Sequence, residues 1–390
     1  MRNIVFKSHK AIDFCDDVRD GTHDSPKHLD SGKILITSKN IKGDTIDFEN
    51  ISYISEEDFN KINERSLVEK NDILYSMIGT IGLVYRVDCN PDYAIKNMGL
   101  FKISNELKSK WLYYFLKTPK TMNMVYSKLN GSTQKFISLS NLRNLEIEYP
   151  EDENDAKRIV KLLESIDYGI RINSEINNNL YEMCNVLYHQ LLDDNESNIE
   201  YKTIGEIAKK VITGKTPSTK NKEYWGGNIP FITIPDMHNQ VFTINTERYI
   251  TKEGAKSLIP KNSISVSCIA TVGLVSINDK DSQTNQQINS IVIEKDYDLY
   301  YLFEFLTEQE QYMKSIAGGS TTYNINKNTF ENIQVPYLNK ELIIEYDKKV
   351  RPMFEKIKSN QISNDTLSQL RDILLPKLMN GEIDLDNIEI

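Results

Sequence analysis

The chain has 390 residues, a formal net charge of −9 and a sequence pI near 5.3. This charge excludes a protein that is basic over its whole surface, although it leaves room for local basic faces. The cysteines stand far apart without a CxxC spacing, which argues against a zinc site or a disulfide framework. No apolar run approaches the roughly 18 residues of a membrane helix, and the N-terminus lacks the apolar segment of a signal peptide, so we expect a cytoplasmic protein.

The first 150 residues combine strand and helix signals. Residues 34–37, 68–88 and 145–150 are rich in β-branched and aromatic residues and predict strands. Residues 53–59 predict the start of a short helix, and the aromatic run 111–116 also predicts a helix. The mixture predicts an α+β domain over residues 1–150, followed by a helical segment over 151–195.

That helical segment carries a heptad seam. Apolar residues and two asparagines recur in an unbroken 4-3-4-3 spacing at Ile159, Leu163, Ile166, Ile170, Asn173, Asn177, Leu180, Cys184, Leu187 and Leu191. Adding 187 to each number gives a second seam of the same phase, from Tyr346 to Leu378, with Asn360 and Asn364 at its centre. Each half of the chain is therefore predicted to end in a long helix, the second lying within 339–390.

The globular regions are duplicated as well. Residues 68–88 match residues 259–279 at 10 of 21 positions, and the loop at 131–133 recurs at 319–321. A second domain, the counterpart of residues 1–150, is predicted to span 196–338. The fold class predicted from the whole chain is therefore α+β, a tandem duplication of two domains separated by two long coiled-coil helices. The frameworks agree while the loops differ, which is how one scaffold binds two different targets.

The two asparagine pairs predict how the helices meet. Either an antiparallel pairing or a parallel pairing in register would place Asn173 and Asn177 opposite Asn364 and Asn360. An antiparallel pair would put the duplicated domains at opposite ends and give the helices a use as a spacer, so we predict the antiparallel arrangement. Pro352 and Pro376 are predicted to kink the second helix or mark its ends.

One carboxylate pattern raises the possibility of catalysis. Asp92, Glu106 and Lys108 have the order of a metal-dependent nuclease site, in which two carboxylates hold Mg²⁺ and a lysine assists the attacking water. The second half has no counterpart, and such a loose pattern arises often in a highly charged chain. No HExxH or other paired ligand spacing is present. We therefore predict neither catalytic residues nor a metal site in this chain.

The loops carry side chains suited to contacting DNA. Lysines can neutralise phosphates, and short polar side chains can bond to base edges. The candidate DNA-binding residues are Thr22, His23, Ser25, Lys27, Ser38, Lys39, Asn40, Lys42, Gln134, Lys135, Lys215, Thr216, Ser218, Lys220, Tyr224, Trp225, Asp236, His238, Asn239, Gln286, Gln287 and Thr322.

Several phrases of the sequence are similar to one family. They are RDGTHDSPK at 19–27, LITSKNI at 35–41, DILYSMIGTIG at 72–82, GKTPS, EYWGG and IPFIT in the second half, and LRDILLPKLMNGEI at 370–383. With the repeat and the two helices, the chain resembles the specificity (S) subunit of a type I restriction–modification system over nearly its whole length.

The resemblance implies a non-catalytic subunit with two target-recognition domains, each reading one half of a split double-stranded DNA site. It implies antiparallel helices that set the distance between the half-sites, and two modification (methyltransferase) subunits that grip the helical region. S-adenosylmethionine would be carried by those subunits, while ATP and Mg²⁺ would be used by separate restriction (endonuclease and translocase) subunits. Two other classes stay open: a free-standing Mg²⁺-dependent nuclease and an adaptor whose loops bind protein.

Overall fold

The computed structural model describes residues 4–131, 135–238, 240–318 and 323–383. The chain divides into two compact units. Unit 1 comprises Met1–Tyr168 and Ser368–Ile390, and unit 2 comprises Gly169–Leu367. Within the described ranges, no helix is long and apolar enough to cross a membrane.

Among its described residues, unit 1 contains eleven short strands, five short α-helices and parts of two long α-helices. The strands are β1 (Phe6–Lys10), β2 (Asp17–Asp20), β3 (Lys33–Ile36), β4 (Ile41–Lys42), β5 (Thr45–Ile46), β6 (Ser52–Ile54), β7 (Ile73–Ser76), β8 (Val84–Arg86), β9 (Tyr93–Ile95), β10 (Met98–Lys102) and β11 (Glu146–Pro150). The helices are α1 (Ala11–Phe14), α2 (Glu56–Ser66), α3 (Glu106–Leu116), α4 (Pro119–Ser127), α5 (Leu139–Arg143) and α6 (Glu153–Asp193), the last of which continues into unit 2.

Unit 2 repeats this composition. Its strands are β12 (Glu200–Thr203), β13 (Ala208–Thr213), β14 (Trp225–Ile232), β15 (Phe242–Thr243), β16 (Arg248–Ile250), β17 (Leu258–Ile259), β18 (Ile264–Ser267), β19 (Val275–Asn278), β20 (Ser282–Thr284), β21 (Ile288–Ile293) and β22 (Gln334–Tyr337). Its helices are α7 (Ile204–Ile207), α8 (Ile234–Met237), α9 (Asp298–Thr307), α10 (Glu310–Ile316), α11 (Lys327–Glu331) and α12 (Lys340–Met379), the last of which returns to unit 1.

The sheets of the two units have matching topology. The order β2-β10-β7-β8 in unit 1 corresponds to β13-β21-β18-β19 in unit 2, and β6-β3-β9 corresponds to β16-β14-β20. Strand β3 pairs parallel with β9 in unit 1, as β14 does with β20 in unit 2, and in unit 2 β15 also pairs parallel with β19. The first and last strands of each unit pair antiparallel. The duplication and the α+β class predicted from the sequence are confirmed.

The repeat extends to unusual backbone conformations. Asn71 and Asn262, which are 191 positions apart, both have positive φ, at 73° and 62°. Ile78 bridges to Phe136 in unit 1 as Ile269 bridges to Asn324 in unit 2. Left-handed backbone is uncommon outside glycine, and asparagine tolerates it better than most residues. These shared features show that both copies keep the same turns around the sheet.

The long helices supply part of the core of each unit. In unit 1, Leu375 and Leu378 of α12 belong to the same buried cluster as Ile159 and Leu163 of α6. In unit 2, Cys184 of α6 packs with apolar residues of α12 in another buried cluster. In both units the paired segments run antiparallel, since residues early in α6 meet residues late in α12 and the reverse. The predicted antiparallel orientation is confirmed.

Two prolines lie within α12. The helix is continuous from Lys340 to Met379, so the expectation that Pro352 and Pro376 mark its ends is wrong. An interior proline removes one hydrogen bond and costs about 3 kcal/mol. The residues flanking them, Val350 and Phe354 at 0% exposure and Leu375 at 5%, are buried. Their burial offsets the lost bond.

Candidate nucleic-acid interface

A glycine follows the edge strand β2 in unit 1 and the edge strand β13 in unit 2, and each starts a long loop. A Cβ atom on Gly21 would lie 2.5 Å from the carbonyl oxygen of Ile95, and one on Gly214 would lie 2.1 Å from that of Asn285. No larger residue fits at either position without moving the backbone. The loops that follow, residues 21–32 and 214–224, are called the first and second recognition loops.

Backbone hydrogen bonds attach the start of each recognition loop to the first residue of a neighbouring strand, which follows a short turn. In unit 1 the Gly21 nitrogen donates to the oxygen of Met98 at 2.8 Å, and in unit 2 the Gly214 nitrogen donates to that of Ile288 at 3.0 Å. The turns, residues 96–97 and 285–287, are called the first and second partner turns. The framework of the two loops is therefore equivalent.

The side chains that link loop to turn differ between the copies. His23 lies between two oxygens, with Nδ1 2.9 Å from Oδ1 of Asn97 and Nε2 2.9 Å from Oδ2 of Asp20. In unit 2, the Thr216 hydroxyl donates to Oε1 of Gln286. One position of the shared framework is thus ionisable in the first copy and neutral in the second.

The first recognition loop borders a cleft of about 730 Å³ against helix α2. It brings together four of the predicted residues, Thr22, His23, Ser25 and Lys27. It also contains Lys61 and Arg65 of α2, which the sequence analysis missed. Arg65 donates to the buried Asp20 carboxylate, which also faces His23. No pattern in the sequence predicts an ion pair between Asp20 and a residue 45 positions away.

Two of the predicted DNA contacts are structural instead. Asn40 is 4% exposed, and its Oδ1 accepts from the Thr37 nitrogen and hydroxyl, both at 3.0 Å. Its Nδ2 donates to the carbonyl oxygens of Asp47 and Asn50. In unit 2, Asp236 accepts in the same way from Thr233, at 2.8 Å from its nitrogen. Both residues close a capping box, so their polar atoms are used within the protein.

We expect Asn40→Ala to destabilise the protein rather than change its sequence preference. The substitution removes a buried cap and leaves two carbonyl oxygens without their donor, a loss of about 2 kcal/mol. Thermal unfolding should show a lowered transition, while the ratio of affinities for cognate and random DNA stays unchanged. Lys39→Ala, at an exposed neighbour, is the control and should leave the transition in place. A changed affinity ratio in Asn40→Ala would return Asn40 to the base-contacting class.

Trp225 closes the second recognition loop. Its indole nitrogen donates to the Ser218 oxygen at 3.2 Å, and the guanidinium carbon of Arg248 lies 3.6 Å from the ring centroid. Neighbouring Tyr224 accepts from the Thr251 nitrogen through its carbonyl oxygen. Trp225 and Tyr224 are both partly buried and hold the loop to its own domain. The Trp225 face covered by Arg248 is not free to stack on a base.

The remaining predicted residues fall on the surface or outside the described part of the chain. Those that are exposed are Lys39, Lys42, Lys135, Lys215, Ser218, Lys220, His238 and Gln286. Ser38 and Gln287 are half-buried, and the Asn285 side chain donates to Oε1 of Gln287 at 3.1 Å. Gln134, Asn239 and Thr322 lie outside the described residues. The exposed positions around each recognition loop remain candidates for DNA contact.

The asparagines of the helices bond in pairs inside unit 2. Asn173 donates to Oδ1 of Asn364 at 2.9 Å, and Asn360 donates to Oδ1 of Asn177 at 2.8 Å. Asn177 also donates to the Ile357 carbonyl oxygen at 3.3 Å. A paired polar layer of this kind favours one register because a shifted register would leave amides unpaired.

The nuclease-like carboxylates are ion-paired on the surface. Asp92 bonds to Lys33 at 3.0 Å, and Glu106 bonds to Lys110 at 2.8 Å. Among the described residues, no group of three or more His, Cys, Asp or Glu side chains is arranged to hold a metal ion. The geometry therefore gives no support to the nuclease hypothesis.

Comparison with known proteins gives one consistent result. Residues 24–182 and 196–370 each match the family described as "Type I restriction modification DNA specificity domain". The chain is 47% identical over 191 residues to the type I restriction enzyme HindI specificity subunit of Haemophilus influenzae, a match that covers 47% of this chain and 41% of that protein. It is 36% identical over 179 residues to the MjaIX specificity subunit of Methanocaldococcus jannaschii, covering 40% of each. The chain thus matches about two fifths of the length of these relatives.

A solved structure shows the same fold over almost the whole chain. The type I restriction–modification S subunit from M. genitalium aligns with a TM-score of 0.59 at 18% identity, covering 97% of both chains. The two family matches include residues 24–32 of the first recognition loop, the whole second recognition loop and both partner turns. The chain therefore belongs to the family of type I restriction modification DNA specificity domains and carries two copies of that domain.

Proposed function

We propose that the chain is the sequence-specific DNA-binding subunit of a type I restriction–modification enzyme and that each unit reads one half of a bipartite site. The observation that carries the proposal is the contrast within the duplicated framework. The glycines, capping boxes and strand order are shared, while the side chains on the recognition loops and partner turns differ. A shared framework with different contact residues suits two half-sites of different sequence.

In this proposal the chain supplies recognition and its partners supply chemistry. The partners are two methyltransferase subunits, which bind S-adenosylmethionine, and restriction subunits, which use ATP and Mg²⁺. No residue of this chain is assigned to any of these cofactors. The paired helices set the distance between the half-sites.

Methylome sequencing of cells that carry this chain with its partner subunits tests the proposal. We expect methylation at one split motif with two defined half-sites and a spacer of fixed length. Removing the gene for this chain should abolish that methylation while the methyltransferase is still made. Methylation that persists without this chain would contradict the proposal.

Each long helix carries a pair of exposed apolar residues at equivalent positions of the repeat, which supports the proposal of two methyltransferase subunits. Met183 and Val186 of α6 are 52% and 63% exposed, and Leu370 and Ile373 of α12 are 43% and 57% exposed. Each residue of the second pair stands 187 positions after its counterpart, the offset of the heptad seam. Large exposed apolar side chains at fixed spacing on a helix mark protein contacts. Two equivalent pairs fit two copies of the same partner.

We expect the double substitution Met183→Asp and Val186→Asp to release one methyltransferase copy from the purified complex. Charged residues at the centre of an apolar contact are costly to bury. Native mass spectrometry should show a complex lighter by one subunit, and adding Leu370→Asp and Ile373→Asp should remove the second. The control replaces exposed Asn178 and Asn179 by Asp on the same helix. Full occupancy after all four apolar substitutions would exclude these surfaces as the contacts.

A further inference from the structure

His23 differs from a side chain that reads a base edge because both of its ring nitrogens already face oxygens of the protein. Its two ring nitrogens face Oδ1 of Asn97 and the carboxylate of Asp20, each at 2.9 Å. A neutral imidazole has only one N–H to donate, whereas an imidazolium has two and can satisfy both oxygens. These hydrogen bonds, first that with Asn97 and then that with Asp20, raise the pKa of His23. The two bonds therefore favour the charged form of the ring and occupy both of its nitrogens.

The position of the ring leaves its charge available to a ligand. The His23 side chain is 61% exposed and lines the cleft beside helix α2, whereas the Asp20 side chain is 6% exposed. Asp20 thus lies behind the ring and bonds to the imidazolium without lining the cleft itself. When protonated, His23 therefore offers a ligand a positive charge on an exposed ring.

The other charges around the cleft come close to cancelling. The cations are Lys27 on the recognition loop, Lys61 and Arg65 on α2, and Lys96 on the partner turn, which donates to Ser25. The carboxylates are Asp20 on β2, Asp24 on the loop and Asp58 on α2. With four cations against three carboxylates, protonating His23 doubles the excess positive charge. Cations that converge on an open cleft in this way suit a phosphate group of the DNA backbone.

We propose that the cleft between the first recognition loop and helix α2 binds one backbone phosphate of the target DNA, with His23 as imidazolium and Asp20 as its positioning residue. The inference rests on the proposed function and deepens it, since it assigns a contact within the first half-site. The proposal also implies that unit 1 has a titratable phosphate contact that unit 2 lacks. Thr216 and Gln286 stand at the corresponding place in unit 2 and carry no charge there, so DNA binding through the second copy lacks this titration.

The test is the salt dependence of DNA binding at two pH values, measured with the assembled complex and a duplex carrying the methylated motif. Each phosphate neutralised by a protein cation contributes about −0.9 to the slope of log affinity against log salt. We expect the slope to be steeper by about 0.9 at pH 6 than at pH 8.5. His23→Gln should give the shallow slope at both pH values, and His23→Lys should give the steep slope at both.

Three further variants separate a direct from a structural role. Asp20→Asn should shift the titration of His23 to lower pH, seen both in the binding slope and in the NMR signals of the ring, which are identified by their absence in His23→Gln. His9→Gln, on strand β1 and outside the cleft lining, is the matched control and should keep the wild-type difference between the two pH values. Thr216→Val should keep that difference as well.

A slope that is the same at pH 6 and pH 8.5 in the wild type would overturn the inference. So would a pH difference that persists in His23→Gln. In either case, retained preference for the cognate duplex over a random one would leave the proposed function intact. Equal affinity for cognate and random duplexes at both pH values would count against the proposed function itself.

Discussion

Glu304→Gln is expected to stabilise unit 2, and the gain should grow as the pH rises from 5 to 9. Glu304 lies on helix α9 with its side chain fully buried, at 0% exposure. Its Oε1 has no hydrogen-bond partner among the described residues, and its Oε2 accepts from Asn185 at 3.5 Å. A carboxylate in such a place is costly, because burial penalises the charged form.

Burial raises the pKa of Glu304 to about 8. The folded state therefore holds a proton that the unfolded state loses near pH 4.5, so folding is favoured at low pH and loses free energy as the pH rises. The loss begins above the unfolded pKa and is complete once the pH exceeds about 8. A glutamine keeps the shape of the protonated side chain and does not titrate. We expect a stabilisation on the order of 3 kcal/mol at pH 9 and little difference at pH 5.

Urea unfolding at pH 5, 7 and 9 measures this effect as the difference between variant and wild type. The variant must be compared with the wild type because burial also raises the pKa of Asp298 to about 6. Asp298 therefore makes the free energy of unfolding depend on pH in both proteins, and the difference between them removes this shared contribution. Glu308→Gln is the matched control one turn further on, where the carboxylate already accepts from Asn185 at 2.8 Å and bonds to His189 at 2.6 Å. This control should not stabilise. A Glu304→Gln gain that did not change with pH would show that Glu304 is ionised in the folded protein throughout.

Lengthening both helices by one heptad is expected to lengthen the spacer of the methylated motif by three base pairs. Seven residues of helix add about 10 Å, and successive base pairs of DNA rise about 3.4 Å. The change should leave both half-sites unaltered, because no residue of either recognition loop is touched. It follows from the proposal that the helices set the distance between the half-sites.

The observed pairing decides where the insertions belong. Asn173 bonds to Asn364 and Asn360 bonds to Asn177, which fixes the register between the two helices. In that register residues 163–169 lie opposite residues 368–374. A copy of 163–169 placed after Gly169, with a copy of 368–374 placed after Leu367, therefore gives each copied seam residue a copied partner. The pair also duplicates the salt bridge from Arg371 to Asp167, at 3.0 Å.

An insertion into α6 alone is the control. It would shift one helix against the other and leave the asparagine amides facing apolar residues, so the complex should lose stability and methylation. The double insertion should keep both. Methylation of the original motif, with its spacer unchanged, would show that the helices do not set the distance.

Much of the fold could be predicted because it depends on repeating patterns. A heptad seam needs only residue spacing, and the duplication is visible as the recurrence of residues 68–88 at 259–279. The continuation of α12 past Pro352 could not be predicted. It depends on how deeply Val350 and Phe354 are buried by other elements, and local sequence does not show such tertiary burial.

The candidate site was predicted less well, for two different reasons. The prediction of a base contact at Asn40 is wrong although the sequence contains the opposing signal, since Thr37 and Asn40 have the spacing of a capping box. Arg65 gave no signal, because its pairing with Asp20 joins residues from a helix and a strand distant in sequence. The charged state of His23 likewise depends on Asn97, which is 74 positions away.

Exchange of one recognition region tests the central claim most directly. Residues 196–338 would be replaced by the corresponding region of a relative that methylates a different motif, and the methylome of cells carrying the chimaera would be sequenced. Because each unit has its own core and its own recognition loop, we expect one half of the motif to change while the other half and the spacer stay as they were. A change in both halves would contradict the account, since the two copies would then not read the DNA independently.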